Sequence, residues 1–258
     1  MELIVCMKQV IDLQQIRIKK ETREPVIEGL PFVFGDMDKN ALEEGIRIKE
    51  KLGGNVTVVS IGSPKLKDTI KEALAAGADK AFIITDPAFD NLDSGLKAGV
   101  LSKAIQKTGT FDLILLGEGS ADNYSGQTGA RLAEALDLPL LSYVKQLELG
   151  DGKIKATRVL EQYIEVAEAK LPAIVTVTSG INQPRIPSLA QILRAGKKPL
   201  TEWKATDMGL SPAELAEKQV VTLTNLAPVE QRKGIILEGA KDENIDSLVN
   251  SLIKEGVL

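Results

Sequence analysis

Apolar residues along this chain fall into short unbroken runs, separated by longer stretches in which they recur every three or four positions. The runs read as strands buried on both faces, the periodic stretches as helices. A strand is expected at 3–6. Ile16-Arg17-Ile18-Lys19 alternates, and Pro25-Val26-Ile27 is expected to pair with it as a small exposed hairpin. Residues 38–51 are helical, with Ala41, Leu42, Gly45, Ile46 and Ile48 on the inner side and Gly53-Gly54 as the stop. Strands follow at 56–61, 78–85 and 112–116, alternating with helices at 66–76, 93–107 and 126–136. After Pro139 the pattern turns antiparallel: strands at 144–149, 153–160 and 163–169, with Gly150-Asp151-Gly152 as a hairpin turn. Another buried strand is expected at 173–177, then a loop to residue 188 and a helix over 189–194. Beyond Leu200 the periodicity fades into polar turns over 201–218, at most a strand at 220–223, and a loop at 227–234. A last amphipathic helix at 244–254 carries Ile245, Leu248, Val249, Leu252 and Ile253 on one side.

Strands alternating with helices of this length predict an α/β fold: a parallel sheet with flanking helices, of the Rossmann-like nucleotide-binding kind. An antiparallel β segment and an extended C-terminal arm complete it. The expected organisation is a nucleotide-binding domain over 1–199 and an arm over 200–258. An arm with an uncovered apolar helix needs a partner surface.

Ligands of such sheets bind beyond the carboxyl ends of the strands. Those ends are residues 6–8, 60–63 and 117–125. The last is the most informative: Gly117-Glu-Gly-Ser-Ala-Asp-Asn-Tyr-Ser-Gly-Gln-Thr-Gly129 leads from a buried strand into a helix. Ser125 is a candidate N-cap, and the free amides of residues 125–129 suit a phosphate. Asp122, Asn123, Gln127 and Thr128 offer polar groups to a ribose or base. An ordinary strand–loop–helix connection fits the same pattern.

Composition narrows the chemistry. The chain has no histidine and one cysteine, which removes serine–histidine and cysteine–histidine catalysis and leaves no expected zinc site. Cys6 reads as a small buried hydrophobe, and a single cysteine suits a reducing cytoplasm. A net charge of -4 argues against non-specific nucleic-acid binding, and 3% aromatics are too few for a base-stacking platform. The start Met1-Glu2-Leu3-Ile4-Val5 has no basic region, and no apolar run approaches the ~20 residues of a membrane helix. A cytoplasmic protein is expected.

Several separated motifs resemble the beta subunit of electron transfer flavoproteins. They are Val5-Cys-Met-Lys-Gln-Val-Ile-Asp12, Ala41-Leu-Glu-Glu-Gly-Ile-Arg-Ile-Lys-Glu50, Val59-Ser-Ile-Gly-Ser-Pro64, Ala75-Ala-Gly-Ala-Asp79, Gly126-Gln-Thr-Gly129, Lys170-Leu-Pro-Ala-Ile-Val-Thr176 and Asn182-Gln-Pro-Arg185. Their order and spacing carry the resemblance over essentially the whole length. It implies an electron transport role in a heterodimer, with an alpha subunit holding most of an FAD while the beta subunit binds AMP. In the electron-bifurcating form a second FAD takes the AMP place and accepts a hydride from NADH. A stand-alone nucleotide-binding α/β protein is the rival outside the family. No acid–base catalytic residue is implied, so only the bifurcating form would itself oxidise a substrate.

Carried over by motif, the nucleotide contacts fall on Cys6, Gly35, Asp36, Met37, Asp38 and Ile61. They continue through Asp122, Asn123, Tyr124, Ser125, Gly126, Gln127, Thr128, Gly129, Ala130, Arg131, Leu132 and Ala133. Gly35-Asp36-Met37 stand where family members commonly have Asn-Pro-aromatic, while Asp38 matches many of them. Arg158, Glu161, Glu165 and Pro172 fit a second signature, from which Gln162-Tyr163 and Ala167 depart. Leu189 falls at the position by which the family docks to partner dehydrogenases, upstream of a flavoprotein or quinone oxidoreductase acceptor. By its own pattern, Leu189 reads as a buried helix residue.

Overall fold

The computed structural model describes residues 1–89, 92–211, 215, 220–229, 233–239 and 241–258. The described chain forms two units, one of residues 1–17 with 26–224 and one of residues 18–25 with 225–258.

The first unit is built on a sheet of nine strands. In chain order its strands are β1 (Glu2–Cys6), β6 (Asn55–Ile61), β7 (Lys80–Ile84), β8 (Leu113–Gly117), β9 (Leu140–Gly150), β10 (Lys153–Val159), β11 (Ile164–Lys170), β12 (Ala173–Val177) and β13 (Leu200–Trp203). Across the sheet they lie in the order β11-β10-β9-β12-β8-β1-β6-β7-β13. From β9 to β13 in that order all neighbours are parallel; β10 runs antiparallel to both β9 and β11.

Strand β9 joins the two modes. Its first residues pair in parallel with β12, and its remainder pairs antiparallel with β10. A register shift in β12 between Val175 and Val177 accompanies a positive φ of 58° at Tyr143. The β9–β10 turn has φ of 51° at Asp151 and 70° at Gly152, the two left-handed residues that a tight hairpin demands.

Helices α1 (Asp36–Leu52) and α2 (Leu66–Ala76) cover one face, burying Leu3, Val5, Val56, Val58, Leu113 and Leu115. Helices α3 (Ser94–Thr108) and α4 (Thr128–Leu136) cover the other, over Ile4, Cys6, Val59, Ile114, Leu116 and Ile174. Alternate residues of one strand thus feed two apolar layers, which is why these strands read as continuous apolar runs. Helix α5 (Leu189–Ala195) packs on α2.

Three expectations need correction. The pattern predicts polar turns from residue 201 onward, yet Leu200–Trp203 adds an edge strand to β7, with Trp203 stacked on Phe82 at 4.5 Å between ring centroids. The segment 220–223 has no regular structure. A small antiparallel pair, β2 (Gln9–Ile11) with β5 (Phe32–Phe34), is an addition that the alternation did not show. The hairpin near residue 17 is present as β3 (Arg17–Ile18) and β4 (Pro25–Val26). The expected loop at 227–234 and the turns before residue 219 extend in part outside the described residues.

In the second unit the C-terminal helix spans Lys241–Lys254 and buries no residue; Ile245, Leu248, Val249 and Ile253 are all exposed.

Candidate functional site

The carboxyl ends of β1, β6 and β8 open into a cleft of about 820 Å³, near the upper end of the ~300–1,000 Å³ usual for small-molecule sites. Its floor holds Cys6, Asp38, Ile61 and Leu116. Its walls are the loop after β8, the start of α4 and the first turns of α3, with Val220–Thr222 along one side.

Asp38 ties the floor together. Its Oδ2 accepts the Lys8 amide at 2.9 Å, and the Gly117 amide donates to the same carboxyl. Burial pushes this carboxyl up to about 7, against the lowering by those two amides. The Cys6 thiol is pushed up to about 12, first by burial and then by the Asp38 charge. It is therefore an un-ionised, inert thiol.

The wall carries the charge. Lys8 Nζ donates to both Asp122 oxygens at 2.7 Å and to Ser120 Oγ at 3.1 Å, bridging the loops after β1 and β8. Asp93 caps α3 by accepting the Leu96 amide at 2.9 Å, and its other oxygen accepts the Val220 amide at 3.3 Å. Glu118 accepts the Tyr124 hydroxyl on Oε1, while its buried Oε2 has no hydrogen-bond partner among the described residues.

Helix α4 begins at Thr128 after Gln127, two residues later than the expected Ser125 cap. Gly126 has φ +64°, so a right-handed helix cannot run through it. No side chain caps this helix, which leaves its first amides and the positive end of its dipole facing the cleft.

Comparison with known proteins gives the family. The electron transfer flavoprotein domain family matches residues 26–208. An electron transfer flavoprotein subunit beta of Thermoanaerobacterium thermosaccharolyticum is 38% identical, with all of both chains aligned. That of Bacillus subtilis is 35% identical over 99% of this chain and 98% of its own. The caffeyl-CoA reductase-Etf complex subunit CarD of Acetobacterium woodii is 32% identical over 99% and 98%. The chain belongs to the electron transfer flavoprotein beta subunit family.

Of the nucleotide contacts that the resemblance implied, Cys6, Asp38, Ile61, Asp122, Asn123, Ser125, Gly126, Gln127 and Thr128 line one cleft. Gly35 caps α1 through its backbone and Asp36 is exposed on the first turn. Met37 packs behind Gly117. Tyr124 is held outward in a left-handed conformation, φ 43°. Gly129, Leu132 and Ala133 are buried; the last two belong to the α3–α4 core layer. Ala130 is exposed on α4, and Arg131 donates to Gln127 Oε1 at 3.2 Å rather than into the cleft.

The sequence reading placed Lys8 at a ligand-facing strand end without naming it as a contact, and passed over Lys97. Lys8 stands directly past the end of β1. Lys97 is a charge set into the apolar stripe of α3, one turn before Leu101 and two before Ile105. Both positions are readable as signals.

A second feature of this beta subunit lies on the α1–α2 face. Leu189 is 73% exposed, not buried, and Ile186, Ile192 and Leu193 are exposed beside it. Ser188 and Gln191 close a capping box at the start of α5. The loop before it is fastened to α1: Asn40 Nδ2 donates to the Asn182 carbonyl at 2.8 Å, and Asn182 Nδ2 returns a bond to the Asn40 carbonyl at 3.0 Å. Arg185 pairs with Glu43 at 2.7 Å and Glu50 at 2.6 Å. Lys198, past the helix, donates to the carbonyls of Leu74 and Ala78 at the end of α2.

Proposed function

We propose that this chain is the nucleotide-binding half of a heterodimer with an electron transfer flavoprotein alpha subunit. It holds an adenine nucleotide, AMP or the adenine end of a second FAD, at the carboxyl edge of its own sheet and helps its partner hold FAD. Bound flavin supplies the electron chemistry, taking electrons from dehydrogenases and passing them to a downstream flavoprotein or quinone oxidoreductase. The chain's own residues bind and orient.

The observation that carries this is the cleft at the ends of β1, β6 and β8, with the uncapped start of α4 on its wall. The amides of 126–129 suit a phosphate. Glu118 Oε2, buried without a partner among the described residues, suits a donor such as a ribose hydroxyl. Exposed Leu189 on a helix fastened at both ends is the docking point for dehydrogenases, an apolar anchor that can be buried in a partner's pocket. The exposed face of the helix Lys241–Lys254 is the arm's contact with the alpha subunit. The expected division into a nucleotide-binding part over 1–199 and an arm over 200–258 shifts toward the chain end, because Leu200–Trp203 extends the sheet and Val220–Thr222 line the cleft; the arm is proposed for residues 225–258. No helix among the described residues is long and apolar enough to cross a membrane, and we place the protein in the cytoplasm.

The bifurcating form is the second reading. It is favoured by a cleft volume generous for AMP and by the relative found in a caffeyl-CoA reductase complex. Flavin and released nucleotide, counted after denaturing the co-purified heterodimer, decide. One FAD with AMP supports the simple carrier, two FAD support bifurcation, and no adenine nucleotide in the beta subunit overturns both.

A further inference from the structure

The two lysines of the cleft are not equivalent. Lys8 is already engaged by Asp122 and Ser120. Lys97 lines the same cleft, yet among the described residues its ammonium has neither hydrogen-bond nor ion-pair partner. Burial and the neighbouring Lys8 charge hold it below the usual lysine pKa, with Asp122 and Asp93 pulling the other way. The nearby carboxylates have other engagements: Asp122 with Lys8, Asp93 with the Leu96 and Val220 amides, and Asp38 with the Lys8 amide.

Lys97 also stands beside the helix start. Ser94, one turn earlier on α3, donates to Gln127 Oε1 at 3.0 Å, and residues three apart share a helix face. The cleft therefore offers two positive features together: the uncapped amides of α4 and a partly desolvated ammonium that makes no hydrogen bond or close ion pair among the described residues. Withdrawing a charge from water without a partner is unfavourable, and a ligand anion would relieve it.

We propose that Lys97 fits the cleft to an adenine nucleotide carrying two linked phosphates, one on the α4 amides and the other on the Lys97 ammonium. This rests on the reading of the cleft as the adenine-nucleotide site. ADP and the adenine-diphosphate half of FAD present the same chemistry, and the binding experiment separates them.

The heterodimer is stripped of nucleotide and titrated with AMP, ADP and FAD by calorimetry. ADP should bind at least about tenfold tighter than AMP, a difference of ~1.4 kcal/mol. Lys97→Gln should lose most of that preference while changing AMP affinity by less than about threefold, and Lys97→Arg should keep it. FAD binding tighter than ADP, with a second flavin retained, makes flavin the source of the diphosphate. ADP binding without FAD makes it a free nucleotide, and either result supports the proposal. AMP binding as tightly as ADP to the wild-type protein overturns it with no variant needed, as does a preference that survives Lys97→Gln. If none of the three nucleotides binds, the nucleotide reading of the cleft itself has failed.

Discussion

Gly129→Ala is the most exacting test of how the cleft is built. Helix α4 crosses the sheet so closely at Gly129 that an added Cβ would lie 2.4 Å from the Thr176 methyl carbon on β12. That is more than 1 Å inside the ~3.5–4.0 Å at which carbons rest. The next atom, Leu116 Cδ1, would be at 3.6 Å, an ordinary contact. One methyl group is therefore the whole obstacle. Overpacking of this kind costs about 1–3 kcal/mol, and at roughly 2–4 °C per kcal/mol for a chain of this size the melting temperature should fall measurably.

Thr176→Ser removes that methyl and keeps the hydroxyl that accepts the Tyr143 amide at 3.1 Å. Alone it should cost about 0.5–1.5 kcal/mol for the lost buried methyl. Combined with Gly129→Ala it should restore stability, giving a coupling of about 1 kcal/mol or more in a double-mutant cycle. The assay is thermal unfolding of the four proteins, with released nucleotide counted beside it, because a displaced first turn of α4 also moves the amides at the cleft. A Gly129→Ala protein as stable as wild type, or additive effects of the two changes, would refute the close approach of helix and sheet.

Leu189→Ala should leave the unfolding free energy within about 0.5 kcal/mol of wild type, because the side chain is exposed. Dehydrogenase-coupled flavin reduction should slow roughly tenfold; a large stability loss with unchanged coupling would make Leu189 a core residue. Asp38, raised from 3.8 to about 7 by burial, favours the fold when protonated, so its contribution is fully present below pH 4 and is lost as pH rises to 7. Asp38→Asn should flatten the fall in stability between pH 4 and 7 in urea unfolding, and an unchanged slope would remove Asp38 as its source. Glu43 behaves oppositely: burial raises its pKa, but the Arg185 and Arg47 bonds outweigh this and lower it, so the stability it adds above pH 4.5 is lost in acid. Arg185→Met leaves the nearly buried Glu43 with Arg47 as its partner and should cost about 1–3 kcal/mol at pH 7, less at pH 3. Equal losses at both pH values would deny the ion pair its role.

The alternation of strands and helices, the β9–β10 turn and the loop from Gly117 to Thr128 were legible in the sequence because each rests on local spacing. An apolar run of five residues announces a strand buried on both faces wherever it sits. Composition alone likewise rules out histidine-dependent catalysis by this chain, which has no histidine. Long-range pairing was not legible. Leu200–Trp203 is too short and too polar to announce itself, and becomes a strand only because β7 offers an open edge. The start of α4 moved to Thr128 because Gly126 takes a left-handed conformation that side-chain chemistry alone does not reveal. By its own pattern Leu189 read as buried, wrongly: a helix of seven residues, fewer than two full turns, is too short to fix which side faces inward, and α5 packs on α2 with the leucine turned outward. Lys8 and Lys97 are 89 positions apart in the numbering. They reach one cleft because β1 lies between β6 and β8 and because α3 and α4 share a face. Convergence of this kind depends on strand order, which is a property of the folded sheet and not of any local stretch of chain.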